Sequence, residues 1–525
     1  MLIRIFDAEA PRKAHLVGVH GAGMRALTEL LSDLGWTLTG SDQSEPESTL
    51  QIGERQIRIH HGHSSCHVSP DTDVLIFSPA VVESNPERVA AKELGIPAFS
   101  YSQFLGELMR ERTGIAVAGT HGKTTTSAIL ATILREAGLE PSAAIGGEVC
   151  QYDRSGWGGE GSLFVAESCE YRKHFLDHSP KFAAILGIEP DHFDCYPDWD
   201  SQLAAFAEFA ARVPSDGVLV IPADCPAAVE AAAASQAKIE TVRVERVPSP
   251  LGGEGGRRPD EEEVESKVGK PTPVWAAPSP ALRAPSPPRG EGTNCDVNSE
   301  SGSADWLALD LEQTATGFRF CIEHRVKLFC QTELNVPGRH NIENALAAVA
   351  LAHAAGADAD SIAEALPKFA GVRRRFEIVE TAREFTLVDD YAHHPTAVKA
   401  TLQTAREFFG DRRILVAFQP HQISRTRELM AEFADSFGEA DEVFLVPIFV
   451  ARESSDEGEA TLAELAGKLT QNGVSVRRLA SLDRLKPSLD DAARPDDVVL
   501  ILGAGNISRI AHEFASGKVC RDHAG

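Results

Sequence analysis

The sequence predicts an α/β protein of three domains, each built on a mostly parallel sheet. Three observations predict it. Short apolar runs alternate with helical stretches from residue 15 onward, which is the pattern of parallel strands joined by helical crossovers. The chain has 525 residues, enough for three or four domains at about 150 residues each. Boundaries near residues 113 and 371 each open a new run of strands and helices.

In the first unit HLVGV (15–19) reads as a buried strand, Met24 to Leu34 as a helix and TLTGSD (37–42) as a second strand. DVLIFSPA (73–80) is a further strand, followed by a helix rich in Ala and Glu. Gly18, Gly21 and Gly23 lie between the first strand and helix, and Asp42 ends the second strand. That layout is Rossmann-like, with a carboxylate placed for a ribose hydroxyl. The spacing is GxxGxG rather than GxGxxG, so the turn is read as the seat of a diphosphate-bearing ligand rather than of NAD. The alternative is a tight turn with no ligand.

The second unit opens with GIAVAGTHGKTTTSAILATIL (114–134). Gly119, Thr120, His121, Gly122, Lys123, Thr124 and Thr125 sit between an apolar strand and an unbroken helix. A glycine turn there lets backbone N–H groups approach phosphate oxygens at the positive end of a helix. Lys123 would reach the β- and γ-phosphates of a nucleoside triphosphate, and the Thr124 hydroxyl would hold Mg²⁺. Only two residues separate the first Gly from Gly-Lys, where the general P-loop has four. LFVAESCE (163–170) and FAAILGIEPDH (182–192) are read as further strands of the sheet.

Residues 245–305 hold ten of the chain's 30 Pro, and PSPLGGEGG (248–256) is echoed by PSPPRGEG (285–292). Such a stretch buries too little apolar area to offset its ordering entropy, so it is expected to be disordered, a tolerated insertion. Periodic structure resumes with WLALDL, the expected hairpin FRFCIEHRVKLFC and the helix IENALAAVALAHAAG. After GVRRRFEIVE (371–380), the strands RRILVAFQP, EVFLVPIF and DVVLILGAG make a third α/β unit.

Composition narrows the function. With 51 Lys and Arg against 77 Asp and Glu, the net charge is −26, unsuited to nonspecific binding of nucleic acid or anionic membranes. There is no run of about 18 apolar residues and no signal-peptide pattern, so no membrane insertion and a cytoplasmic location are expected. The nine Cys are scattered with no CxxC pair, which argues for free thiols.

GTHGKTTT, preceded by the HGAGM turn, resembles the Mur ligases of peptidoglycan synthesis. Further matches run in the family's order: ESCEYRKHFL (167–176), IEPDHFDCY (188–196), GRHNIENA (338–345), GVRRRF (371–376), DDYAHHPT (389–396), FQPHQISRT (418–426) and ARE (451–453). The resemblance covers the chain apart from 245–305. It implies a UDP-substrate-binding domain over 1–112, a central P-loop ATPase domain over 113–370 and an amino-acid-binding C-terminal Rossmann-like domain over 371–525. It also implies ATP and Mg²⁺, with UDP-N-acetylmuramate and L-alanine as substrates, or a preformed tripeptide in place of alanine.

The same resemblance assigns the site. Gly18, His20, Gly21, Gly23, Met24, Ser41 and Asp42 would bind the UDP-substrate. Glu167 and His192 would bind a second Mg²⁺ beside Lys123. Glu170 would support that metal or pair with Arg172 or another cation. Asn341 and Asn344, three apart on one helix face, would meet adenine, with His340 beside them, and Asp390 the ATP ribose. Arg374, Arg375, His393, His394, His421 and Arg425 would line the closed site or anchor phosphate and carboxylate, as guanidinium groups do. Of Arg373–Arg375, at least one is expected to face solvent. Gly187 and Gln422 depart from the family, standing where many relatives have Asn and some have Arg.

Overall fold

A computed structural model describes residues 12–43, 48–52, 55–245, 304–451, 453 and 457–515. The stretch expected to be disordered therefore lies almost wholly outside the described residues, as does Arg452 of the ARE triplet.

The first sheet contains β1 (Lys13–Val17), β2 (Thr37–Asp42), β3 (Ser48–Ile52), β4 (Arg55–His61), β5 (Val74–Phe77) and β6 (Ala98–Ser100), in the order β3-β4-β2-β1-β5-β6. All neighbours are parallel except the β3–β4 hairpin. The sequence pattern does not reveal this hairpin, because β4 buries only Ile57 and Ile59 among Arg, Gln and His. Helix α1 (Ala22–Asp33) buries Met24, Leu27, Leu30 and Leu31 at helical spacing. Helices α2 (Pro86–Glu93) and α3 (Tyr101–Glu111) come next, capped by Asn85 and Ser100. The strand order reverses at β1, which opens a crevice at the carboxyl ends of β1, β2 and β5.

The second sheet has ten strands: β7 (Thr113–Ala118), β8 (Ser142–Val149), β9 (Arg154–Trp157), β10 (Leu163–Glu167), β11 (Phe182–Ile185), β12 (Val218–Pro222), β13 (Lys238–Val244), β14 (Trp306–Gln313), β15 (Phe318–His324) and β16 (Lys327–Leu334). Their order is β16-β15-β14-β13-β12-β11-β7-β10-β8-β9. The run from β8 to β14 is parallel, β9 is an antiparallel edge, and β15–β16 is the hairpin expected over 318–330. The expected strands at 163–170 and 182–192 are shorter than read, ending at Glu167 and Ile185, and each gives way to a loop. Of its helices α4 (Lys123–Glu136), α5 (Trp199–Ala210), α6 (Pro226–Ala232), α7 (Arg339–Ala354) and α8 (Ala359–Ala365), α4 and α7 pack on each other. Both are buried almost all round, which is why neither has a polar stripe.

The third sheet contains β17 (Glu377–Val379), β18 (Thr386–Asp390), β19 (Ile414–Phe418), β20 (Glu442–Leu445), β21 (Val476–Arg478) and β22 (Val498–Leu502), in the order β17-β18-β22-β19-β20-β21. Only β17 is antiparallel to its neighbour. Helices α9 (Pro395–Phe409), α10 (Ile423–Glu428), α11 (Met430–Asp435), α12 (Gly458–Gln471), α13 (Leu485–Ala492) and α14 (Ser508–Ala515) cover it. Among the described residues no helix is long and apolar enough to cross a membrane.

Candidate functional site

The first crevice is lined by Gly18, His20, Gly21, Asp42, Gln43, His63, Ser78 and Asn85, with 80–82 closing one side. Gly18 has φ +80, and a Cβ there would lie 2.9 Å from the Ser78 Cβ, so only glycine lets the turn fold this tightly. The His20 backbone N–H donates to Asp42 Oδ2 (3.0 Å), so this carboxylate shapes the turn.

Three residues expected to bind here are placed otherwise. Met24 is buried in the apolar core, where helical spacing points it inward. Gly23 gives the Tyr101 ring room: a Cβ would lie 2.8 Å from it. Ser41 is fully buried and donates to Glu87 Oε2 (2.7 Å). Below the crevice the Glu87 carboxylate is enclosed by His15, His63 and His67, at 3.6, 3.0 and 2.7 Å. Burial pushes Glu87 up, but His15, Ser41 and His67 outweigh it and hold the carboxyl at about 2. His63 and Glu87 are not found from the sequence, because His63 comes after the unrecognised hairpin.

A second cavity, of about 460 Å³, lies at the carboxyl ends of β7, β10, β11 and β18, within the size range of small-molecule sites. Of the expected residues Thr120, His121, Gly122, Lys123, Thr124, Thr125, Glu167, His192, Asn341, Asn344, Arg375, Asp390 and His393 line it. Gly119 lies behind, at φ +131, with Leu186 where a Cβ would stand. Gly122, at φ +78, leads directly into α4, and a Cβ there would overlap Asn344 Oδ1. The loop thus brings free N–H groups of a helix start against the cavity, with both glycines forced by contact.

The Lys123 ammonium donates to Gly119 O (2.5 Å) and Thr120 O (3.2 Å), and lies 2.8 Å from Glu170 Oε2. Glu170 is fully buried, and its Oε1 stands 3.3 Å from His192 Nε2. Burial opposes both charges, but each outweighs the penalty on the other: Lys123 is raised, and Glu170 is held at about 2 with help from His192. The partner of Glu170 is therefore Lys123, not Arg172.

His192 adopts φ +55, a costly conformation for a side-chain-bearing residue. Its Nδ1 is buried with no hydrogen-bond partner. Glu167 spends Oε2 on the Gly146 N–H (2.9 Å). An orphan imidazole nitrogen and a carboxylate on the wall of one cavity fit a divalent cation.

Across α7, Asn344 Nδ2 donates to Asn341 Oδ1 (3.1 Å), Asn341 Nδ2 to Pro337 O (2.6 Å), and Thr126 Oγ1 to Asn344 Oδ1 (3.3 Å). The two amides are locked as a pair, and Asn341 does not cap the helix. Asp390 accepts from the Phe376 and Ala392 N–H groups (2.8 and 2.7 Å), so it is at least in part a backbone clamp.

The third sheet closes the cavity. Arg375 Nη2 donates to Thr124 Oγ1 (3.0 Å). Arg374 turns back to Gly503 O (2.8 Å). Arg373 is the half-exposed member, paired with Glu377, Glu148 and Asp153. His421 and Arg425 do not line the cavity. Arg425 is 2% exposed and donates from Nε to Asp191 Oδ1 (2.8 Å) and from Nη1 to His421 O (3.0 Å). The His393 ring, which does line it, stands 5.7 Å from that of His421. Burial and the Arg425 charge hold His393 well below the usual imidazole range. Asp191 is the residue that the sequence pattern does not single out. It is buried and held far below the carboxylate range, because Arg425 outweighs burial. Gly187 has nothing within 4 Å of a Cβ, so an Asn would fit there. Gln422 is buried at φ +71 with Nε2 unpartnered.

Three family models match: "Mur ligase family, catalytic domain" over 13–113, "Mur ligase middle domain" over 117–246 and "Mur ligase, glutamate ligase domain" over 374–505. The UDP-N-acetylmuramate–L-alanine ligase of Desulfitobacterium hafniense is 35% identical over 505 residues, covering 96% of this chain and 99% of that one. Its counterpart from Acidithiobacillus ferrooxidans is 36% identical over 508 residues, 96% and 97% of the two chains. Among solved structures, the UDP-N-acetylmuramate-alanine ligase of Thermotoga maritima superposes with a TM-score of 0.69 at 25% identity, covering 96% of this chain and 98% of that one. A murein peptide ligase from Psychrobacter arcticus shares the fold at TM-score 0.65 and 23% identity, over 97% and 99%.

Proposed function

Because this chain belongs to the Mur ligase family, we propose that it joins L-alanine to UDP-N-acetylmuramate at the expense of ATP. The products are ADP, phosphate and UDP-N-acetylmuramoyl-L-alanine. The observation that carries this reading is the meeting of Lys123, Glu167, His192 and Arg375 on one cavity wall. The first crevice takes the UDP group, the second sheet takes ATP, and the third supplies the amino-acid side. Domains over 1–112, 113–370 and 371–525 divide these tasks.

A carboxylate does not react with an amine, so it must first be activated. One oxygen of the sugar's carboxylate attacks the γ-phosphorus, ADP leaves, and an acyl phosphate forms. The amine of alanine then adds to the carbonyl carbon, loses a proton, and phosphate departs with the former carboxylate oxygen. The first step presses two anions together, and fixed cations must offset their repulsion. Lys123 swings from Glu170 and its own loop carbonyls to the transferred phosphate. Arg375, hydrogen-bonded to the loop at Thr124, approaches the same group from the third sheet. Glu167 and the unpartnered Nδ1 of His192 would hold one Mg²⁺, and the Thr124 hydroxyl a second; bound there, the metal would supply charge neutralisation for phosphate and carboxylate oxygens. Asn341 and Asn344 face adenine with their remaining N–H groups. His393, kept neutral by burial and the Arg425 charge, lines the cavity without adding charge, and the proton that the amine loses passes to solvent or to the departing phosphate.

The test is phosphate release from ATP with UDP-N-acetylmuramate and Mg²⁺, comparing L-alanine with the L-Ala-γ-D-Glu-diaminopimelate tripeptide. Turnover with alanine is expected. Turnover with the tripeptide alone would replace the amino-acid substrate and leave the ATP chemistry standing.

A further inference from the structure

We propose that His121, Glu189 and His394 form a binding site for one divalent transition-metal ion, distinct from the Glu167–His192 pair. One ligand atom from each of the three lies within 4.8 Å of the others. His121 Nε2 is 3.2 Å and His394 Nδ1 3.5 Å from the same oxygen, Glu189 Oε2. Ligand atoms about 2.1 Å from a tetrahedral ion stand roughly 3.4 Å apart, so two of the three separations already suit an ion.

The surroundings orient the set. His394 Nε2 lies 3.3 Å from Pro190 O, which places the ring proton there and leaves the Nδ1 lone pair towards Glu189. A ligand imidazole whose other nitrogen donates to a backbone carbonyl is the usual arrangement in metal sites. The Thr396 N–H also points at Nδ1, at 3.4 Å, a long contact that an ion displaces. Thr396 Oγ1 donates to Glu189 Oε2 (2.6 Å) and fixes the carboxylate. His394 is 4% exposed. The His121 and His394 rings lie 4.6 Å apart, tilted rather than stacked, so an ion can enter between their nitrogens with a small rotation.

Two imidazoles and one carboxylate favour Zn²⁺, Co²⁺ or Mn²⁺ over Mg²⁺, which prefers oxygen ligands. The three residues come from the glycine loop before α4, the loop after β11 and the residue that caps α9. An ion there ties the phosphate loop to the third sheet, on the wall of the nucleotide cavity. The alternative is a plain side-chain contact between His121 and Glu189, with no affinity for metal.

The test uses the full chain without ATP or Mg²⁺. Zn²⁺ is titrated by calorimetry, and Co²⁺ by its visible absorption, into wild type, Glu189→Gln, His394→Asn and Glu167→Gln. Asn at 394 keeps a helix-capping oxygen. The expected result is binding that survives Glu167→Gln and weakens roughly 10- to 100-fold in Glu189→Gln and His394→Asn. Absence of binding in wild type, or wild-type affinity in Glu189→Gln and His394→Asn, would overturn the site. If Glu189→Gln fails to fold, His394→Asn carries the same test.

Discussion

Lys123 is held in a buried network, so its removal acts twice. Lys123→Ala is expected to abolish phosphate release, because its ammonium is the cation that the glycine loop itself supplies. The substitution also leaves the Glu170 carboxylate buried with His192 beside it, at a cost of about 3 kcal/mol. Adding Glu170→Gln should restore most of the thermal stability and none of the activity; wild-type turnover in Lys123→Ala would contradict the assignment. Asp389 tells the opposite story. Burial is the main cause of its rise to about 7; Asp390 and Glu377 add to it, and Arg374 opposes it. Its Oδ1 is buried without a partner. The native state therefore keeps a proton that the unfolded chain, with a carboxyl near 3.8, has already lost. Stability contributed by this group is intact below about pH 4 and falls as pH rises towards 7. Asp389→Asn should melt higher than wild type at about pH 8 and no differently at about pH 4, as followed by circular dichroism.

At the scale of elements, α4 and α7 meet through Gly122 and Asn344, with no space for a methyl group. Gly122→Ala also carries φ +78. It should destabilise the protein by roughly 1–3 kcal/mol and raise the KM for ATP at least tenfold; an unchanged KM would show that this contact does not shape the nucleotide site. The glycine loop was legible because its chemistry is local: one strand, one turn and one helix start carry it. The hairpin β3–β4 was not, since only Ile57 and Ile59 mark its core face. The His63–Glu87 cluster was lost with it. Met24 ends the HGAGM turn and is expected beside the UDP-substrate, whereas its helical phase sends it into the core. Asp191 and the Lys123–Glu170 pair join residues 234 and 47 positions apart, and no local pattern announces such contacts.

Across the molecule, both cavities lie at carboxyl ends of parallel strands, where topology leaves crevices. The second and third sheets are bound by the buried Asp191–Arg425 pair and by Arg375 reaching Thr124. Arg425→Ala leaves Asp191 charged and buried, and should cost about 3–5 kcal/mol and lower kcat. A melting temperature like that of wild type would show that the pair does not hold the sheets. Strands β13 and β14 are parallel neighbours, and a connection between parallel neighbours takes a dozen or more residues. Deleting 248–292 leaves residues 245–247 and 293–305, enough for that, and phosphate release is expected to stay within a factor of two. A tenfold loss would give the insertion a function.

The central claim is that this site activates a carboxylate by phosphorylation. UDP-N-acetylmuramate labelled with oxygen-18 in its carboxylate, turned over with ATP and L-alanine, tests it most directly. The account requires one labelled oxygen in the released phosphate, delivered when the amine displaces it. Phosphate released without label, while the amide forms, would contradict it.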